Sequence, residues 1–206
     1  MRIRFSILLI VLLMLCGCQE RKTVGTYQVT CELRPPVARD SVMLLVYEPD
    51  YGRLRELGWA KNADGEFVLK GEIDEPHRAL LKFGTDSSAL VFNFILEPTD
   101  IRIAIGEGSW RIDGGRENRE YMRVLNDFQR MEQDRKKLWQ RYSSHAADST
   151  LTEKMERELF LADSLLADSM QNRVVDFVNR GTMAGQLVKQ RLIHSLKAEN
   201  LKKLRK

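Results

Sequence analysis

The three cysteines are the residues of this chain best suited to covalent chemistry. Cys18 ends the tetrapeptide Leu-Cys-Gly-Cys (15–18), which follows an apolar run from Phe5 and two arginines near the start of the chain. A positively charged start, an apolar stretch of this length and a small residue before the cysteine are typical of a cleaved signal peptide. The apolar run is shorter than the roughly 20 residues that a membrane-spanning helix needs. We therefore expect residues 1–17 to be a signal peptide.

The segment around Cys18 also predicts what the thiol does. An aliphatic residue, two small or neutral residues and a cysteine are similar to a lipobox, in which the thiol accepts a diacylglyceryl group as a thioether. Gly17 is small enough to lie beside the scissile bond, and cleavage would leave Cys18 with a new amine that can be acylated. One acyl chain binds a membrane with K of only about 10⁴ M⁻¹, so two or three chains are needed for a durable anchor. We predict lipid attachment at Cys18.

Two other interpretations of this segment remain open. An ordinary secretory signal with a chance cysteine and an uncleaved anchor would both contain the same apolar run. Cys16 is a rival attachment site, but Met14 and Leu15 before it match the small-residue pattern poorly.

Cys31 is the remaining thiol once Cys16 is removed and Cys18 is modified. No disulfide can then form within the mature chain, and no Cys-x-x-Cys pair is available for dithiol redox chemistry. Cys31 lies on the apolar face of an alternating segment, which favours a buried, inert core residue over a reactive thiol.

Other chemical motifs are missing from the sequence. Gly106-Glu107-Gly108 fits no phosphate-binding loop, and no Gly-x-Ser-x-Gly elbow supports a catalytic triad. The histidines are isolated, without the spacing of a zinc site, and we expect them at the surface or at helix ends; they are His77, His145 and His194. We therefore expect no catalytic residue, no metal site and no cofactor.

Two further features could be mistaken for sites. Asp163 and Asp168 repeat within an Ala-Asp-Ser pattern, but a spacing of five places them on different faces of a helix. Trp59 and Trp110 could line a binding cleft, although packing in the core is the safer expectation.

Composition places the mature chain of about 190 residues among globular proteins large enough to bury a core. The formal net charge of +4 falls when Arg2 and Arg4 leave with the signal peptide, and charges of both signs are interleaved. This pattern is typical of a solvated surface, so we expect no nucleic-acid partner.

Period-two alternation dominates residues 24–115 and predicts an all-β domain after a short tether (18–23). The segment 41–47 is apolar on both parities, which indicates a central strand, and Asn62-Ala63-Asp64-Gly65 predicts a hairpin turn. Turn signals separate seven or eight short strands, as in an antiparallel β-sandwich or barrel. The predicted strands are 24–34, 41–47, 57–61, 66–73, 78–83, 89–96, 101–105 and 109–113.

Helical periodicity follows in residues 116–206, giving an α+β fold with a helical hairpin or three-helix extension. One apolar stripe runs from Tyr121 to Leu138, and a polar break is expected at 143–150. Thr150 and Glu153 are similar to a capping box that begins the second helix. Gly181 should end this helix, and a third should run from Thr182 through Leu201.

The order of several segments resembles a known family. They are Asp64-Gly65-Glu66-Phe67 with Gly71, Glu97-Pro98-Thr99-Asp100-Ile101-Arg102-Ile103, Gly114-Gly115 with Asn118, and Phe177-Val178-Asn179. In this order they resemble the N-terminal domain of unknown function of envelope lipoproteins of the TlpA/ResA thiol-disulfide oxidoreductase type. That resemblance implies a lipobox, a β-domain, a helical segment and then a thioredoxin-like domain.

The sequence departs from the family pattern in its missing redox motif, and this departure decides which function we expect. The family's Trp-Cys-x-x-Cys motif is absent, so no catalytic residue is carried over. We expect a non-catalytic, lipid-anchored binding module of the bacterial cell envelope. It would be attached to the membrane through Cys18, and the absence of an acidic run in 19–22 favours a periplasm-facing position. An envelope protein, such as a thioredoxin-like lipoprotein, is the expected partner.

Three alternatives remain. The chain could be an accessory to an envelope thiol-disulfide oxidoreductase that lacks the redox domain. It could also be a truncated remnant of such a protein, or a hydrolase whose site is unrecognised.

Overall fold

The computed structural model describes residues 24–34, 39–48, 51–84, 89–107 and 109–204 of the chain. The predicted signal peptide, Cys18 and the tether lie outside these residues, so the anchor remains a prediction. Within the described ranges, eight β-strands precede four α-helices and one 3₁₀ turn. The predicted α+β fold is confirmed.

The strands form two four-stranded sheets that pack face to face. The first sheet has the order β4-β1-β7-β8 and the second has the order β3-β2-β5-β6, so β2 is central, as its apolar pattern predicts. The strands are β1 (Gly25–Leu33), β2 (Ser41–Glu48), β3 (Arg53–Lys61), β4 (Glu66–Ile73), β5 (His77–Phe83), β6 (Leu90–Leu96), β7 (Asp100–Gly106) and β8 (Ser109–Asp113).

One strand pair departs from the predicted antiparallel pattern. β1 pairs antiparallel with β4 on one side but parallel with β7 on the other, with Val29 opposite Ile101. A parallel pair needs a long crossover connection. Here the whole second sheet lies between the two strands along the chain, which is why β7 can return beside β1 in the same direction.

The core lies between the two sheets and follows the predicted alternation. The ring of Phe67 on β4 meets that of Phe83 on β5 edge to face, with centroids 5.7 Å apart. Cys31 is fully buried in this core, and burial raises the pKa of its thiol to about 12. The predicted position of Cys31 in the core is confirmed.

The prediction for β3 was wrong in two respects. The strand begins at Arg53 rather than at Leu57, and Trp59, expected in the core, is 60% exposed. β3 is an edge strand with a largely solvent-facing surface, so its residues need not alternate between apolar and polar. The first half of the strand therefore lacks the pattern on which its prediction depended.

The helical part contains α1 (Arg116–Ala147), α2 (Glu153–Val178), α3 (Met183–Leu192), a 3₁₀ turn (Ile193–Ser195) and α4 (Ala198–Leu201). α1 continues through most of the predicted polar break. The cap of α2 also differs from the prediction, because Thr152 rather than Thr150 accepts the hydrogen bond, from the backbone N–H of Met155. The third helix was predicted to run through Leu201 but ends at Leu192, since the chain is extended at Leu196.

α1 and α2 form the predicted antiparallel hairpin. Arg135 on α1 donates two hydrogen bonds to the carboxylate of Asp163 on α2, at 2.8 and 3.1 Å. Nearer the turn, the rings of Trp139, Tyr142 and Phe160 contact one another edge to face. Of the helices in the described part of the chain, none has the length and hydropathy needed to cross a membrane.

Candidate functional site

A buried carboxylate joins the two sheets to α1. Glu97 follows β6, and its Oε1 accepts hydrogen bonds from the backbone N–H groups of Arg116 and Glu117 at 2.7 and 3.2 Å. Its Oε2 accepts from the backbone N–H of Asn118 at 3.2 Å. The first N–H groups of a helix have no partner within the helix, and the positive end of the helix dipole favours an anion. Glu97 therefore caps α1 from outside the helix.

Asn118 pairs with β6 in the way that a neighbouring strand would. Its side-chain oxygen accepts from the backbone N–H of Ile95 at 3.0 Å, and its side-chain nitrogen donates to the carbonyl of Ile95 at 2.7 Å. Asn118 and Ile95 are both fully buried. This amide thus satisfies both backbone groups on the outer edge of β6 at this residue and fixes α1 against the second sheet.

We call the hydrogen-bonded contact that Glu97 and Asn118 make between β6 and α1 the joint. Two glycines leave room for it. Gly114 and Gly115 both have positive φ, at 95° and 76°, which L side chains rarely adopt. A Cβ atom on Gly114 would overlap the carbonyl oxygen of Asp100, and one on Gly115 would overlap the carboxylate of Glu97. The segments 97–103 and 114–118, which carry the family resemblance, therefore meet at one structural joint.

The same joint also positions α3. Glu117, next to Asn118, accepts a hydrogen bond from the backbone N–H of Ala184 at 2.9 Å and so caps the first turn of α3. Thr182 provides the second cap, accepting from the N–H of Gly185 at 3.0 Å. α3 is thereby held beside the edge of β6.

A groove of about 560 Å³ opens where these elements meet, and this volume is in the range of small-ligand sites. Its walls come from β6, the β7–β8 hairpin, Tyr121 of α1, and α3. We call it the edge groove. Its lining residues are Leu90, Val91, Phe92, Asn93, Ile105, Gly106, Ser109, Trp110, Tyr121, Leu187, Gln190 and Arg191.

Trp110 forms an aromatic wall in the edge groove. Its ring stacks on Tyr121 with centroids 6.1 Å apart and meets Phe92 edge to face at 5.2 Å. The guanidinium of Arg191 lies 6.0 Å from the centre of the Trp110 ring, within the range of a cation–π contact. Burial raises the pKa of Tyr121, and the positive charge of Arg191 partly opposes that rise. Trp110 therefore packs against the core, as expected, and also lines a cleft, the alternative that the sequence had left open for it.

The chemistry of the edge groove is that of recognition. Seven of the twelve lining residues are apolar or aromatic, Asn93, Gln190 and Ser109 supply hydrogen-bonding groups, and Arg191 supplies the positive charge. Among the residues that the structure describes, the lining contains no carboxylate, imidazole or thiol. Such a set can hold a partly apolar ligand and orient it by hydrogen bonds and by a negative group.

The other predicted residues are dispersed. Asp163 bonds Arg135 while Asp168 bonds Lys197, so the two aspartates form no paired site. His194 is exposed, and His145 contacts the Thr150 hydroxyl at 3.0 Å near the end of α1.

His77 is not isolated as the sequence suggested. It lies with Asp74 and Glu75 at a turn, and one ligand atom from each lies within 4.8 Å of the others. Both carboxylates are exposed, and exposed acidic groups of this kind are common without an ion, so we assign no metal site there.

Sequence reasoning missed the α3 wall of the edge groove, which Leu187, Gln190 and Arg191 form. In the sequence these residues belong to an ordinary amphipathic helix. Only their position beside β6 and β8 gives them a shared surface.

Residues 27–121 match the family model DUF4369, a domain of unknown function. The matched range covers the strands from within β1 onwards and the first residues of α1, and it ends at Tyr121 in the edge groove. The α3 wall lies beyond it. No curated protein matches the chain.

Proposed function

We propose that this protein is a lipid-anchored, non-catalytic binding module of the bacterial cell envelope, and that it binds its partner in the edge groove. The observation that carries the proposal is the groove itself, which combines an aromatic wall, amide groups and one guanidinium. Aromatic and arginine side chains are the types that contribute most to binding at protein interfaces.

The anchor in this proposal rests on the sequence around Cys18. Lipid chains on Cys18 and the short tether (18–23) would hold the β-domain close to the membrane, facing the periplasm. A binding module so placed would keep its partner near the membrane surface.

A second candidate is an accessory role beside a thiol-disulfide oxidoreductase. The order of the segments shared with TlpA/ResA-type lipoproteins favours it, and a thioredoxin-like lipoprotein would then be the partner. In that role the chain would contribute binding and no redox chemistry, because Cys31 is buried and its thiol has a raised pKa.

An affinity capture from envelope membranes tests the proposal. The full chain and two variants serve as baits, with mass spectrometry of both the bait and the captured proteins. Arg191→Glu reverses the charge in the edge groove. Arg180→Glu is the matched control, because Arg180 also lies over an aromatic ring, that of Phe177 at 5.3 Å, but away from this groove.

The expected result is an acylated Cys18 and a reproducible partner that Arg191→Glu loses and Arg180→Glu retains. A thioredoxin-like lipoprotein as that partner would support the second candidate. Equal capture by both variants would count against the edge groove, and an unmodified Cys18 would overturn the anchor.

A further inference from the structure

β6 differs from the other edge strands of the two sheets. β3, β4 and β8 each carry at least two charged side chains, whereas β6, with the sequence LVFNFIL, carries none. Charged side chains on an edge strand discourage the addition of a further strand. β6 is therefore the edge of this sandwich that is best suited to accept one.

The hydrogen bonds of Asn118 show which backbone groups of β6 point outward. The N–H and C=O of Ile95 point to Asn118 and thus away from β5. In an antiparallel pair these directions alternate along the strand, so the backbone groups of Asn93 and Val91 point the same way as those of Ile95.

Asn93 and Val91 both line the edge groove. Within the part of the chain that the structure describes, the outward-pointing N–H and C=O groups of Asn93 and Val91 make no hydrogen bond. Two N–H and two C=O groups are thus available where β6 leaves the cover of α1, and Val91 is 48% exposed. The side chain of Asn118 thus takes, opposite Ile95, the place of a residue in an added strand. The corresponding places opposite Asn93 and Val91 are open.

Charge adds a second constraint on what can lie there. Arg191 is the charged residue of the groove lining, and it pairs with no carboxylate among the residues that the structure describes. An arginine over an aromatic wall favours a ligand that carries a carboxylate.

We propose that the edge groove accepts an extended peptide segment of a partner protein, which adds as a strand to β6 at Val91 and Asn93 and presents an acidic side chain to Arg191. This inference rests on the binding role proposed above and names the class of partner. Main-chain hydrogen bonds would supply affinity, and Trp110 and Leu187 would receive apolar side chains of the segment.

The test uses the full chain in detergent and a pool of acetylated eight-residue peptides. Each peptide carries one aspartate among Val, Ile, Thr and Tyr residues. The best binders are remade with the aspartate replaced by asparagine, and separately with N-methyl groups on alternate backbone nitrogens. N-methylation removes the donors that a strand needs without changing the side chains.

Matched variants of the protein separate the two parts of the inference. Val91→Pro removes one outward N–H and no bond to β5, which an edge strand tolerates, while Val91→Thr keeps the N–H. Thermal unfolding of both variants verifies that they fold. We expect Val91→Pro to weaken peptide binding about tenfold and Val91→Thr to change it less than about twofold. Arg191→Gln should weaken the aspartate peptides about tenfold but leave the asparagine peptides unchanged.

Failure of this inference can be distinguished from failure of the proposed function. If no peptide is enriched over the Val91→Pro protein, or if N-methylated peptides bind as well as the originals, strand addition is wrong. An envelope partner that Arg191→Glu loses but Val91→Pro retains would leave the groove as a binding site and overturn only the strand. Loss of that partner in both variants supports strand addition.

Discussion

Replacing Asn118 by alanine should be one of the most destabilising single changes in this protein. The substitution removes both hydrogen bonds to Ile95 and leaves a buried N–H and a buried C=O without partners. Each buried backbone group that loses its partner costs about 1–3 kcal/mol. Alanine is the better helix former by roughly half a kcal/mol, which offsets a small part of this cost.

We therefore expect Asn118→Ala to lower the free energy of unfolding by about 3 kcal/mol. For a chain of this size, that corresponds to a fall in Tm of about 6–12 °C. Circular dichroism during thermal and urea unfolding measures both quantities. Asn126→Ala is the matched control, because Asn126 is an exposed asparagine on the same helix and its replacement should be neutral or slightly stabilising.

A loss below about 1 kcal/mol for Asn118→Ala would refute the reasoning. It would mean that water or a backbone shift satisfies Ile95, and that α1 does not depend on this residue for its position. Equal effects of the two substitutions would lead to the same conclusion, because the control removes an asparagine from α1 without removing the bonds to β6.

Three further predictions concern the joint, the core and the hairpin. Gly115→Ala should destabilise the protein by at least about 2 kcal/mol more than Gly181→Ala in urea unfolding, because both glycines have positive φ but only the first faces an obstructing carboxylate. At pH 8, iodoacetamide should alkylate Cys31 only after denaturation, since burial raises the pKa of its thiol to about 12; mass spectrometry of the folded protein showing rapid labelling would contradict this. The hydrogen bonds from Arg135 lower the pKa of the Asp163 carboxyl in the folded protein. The ionised carboxylate therefore stabilises the fold above its unfolded pKa of about 3.9. This stabilisation is lost as the pH falls through the lower pKa of the folded state. Asp163→Asn should therefore be less stable than the native protein at pH 7, with a difference that shrinks below about pH 4 in a pH series of unfolding curves.

The sequence predicted the β-sandwich well because burial imposes a period of two on its strands. The bounds of β4 and β8 agree with the prediction to the residue, and Cys31 is in the core as expected. The same rule fails where a strand is little buried. The first half of β3 and Trp59 are exposed, so the sequence there has no alternation of apolar and polar residues that would predict their position in the fold. The parallel pairing of β1 with β7 also leaves no local pattern, because it depends on how the chain returns after the second sheet.

The candidate site was the harder part to predict. Trp110 was noted as a residue that could line a cleft, but Arg191 and Leu187 carry no motif. The edge groove arises from strands, a hairpin and helices that the joint at Glu97 and Asn118 brings together. Turn-forming residues in the sequence therefore indicated the scaffold of the site, whereas its binding surface depends on tertiary packing.

Site-specific photo-crosslinking in intact cells tests the central claim most directly. A photoreactive residue at Ser109 lies at the exposed rim of the edge groove, and one at Arg55 on β3 serves as the control on a different edge. We predict that the chain acylated at Cys18 forms a defined protein adduct from position 109 and none from position 55. Arg191→Glu should abolish the adduct from position 109. The absence of an adduct at 109, the same adduct from both positions, or an unmodified Cys18 would contradict the account.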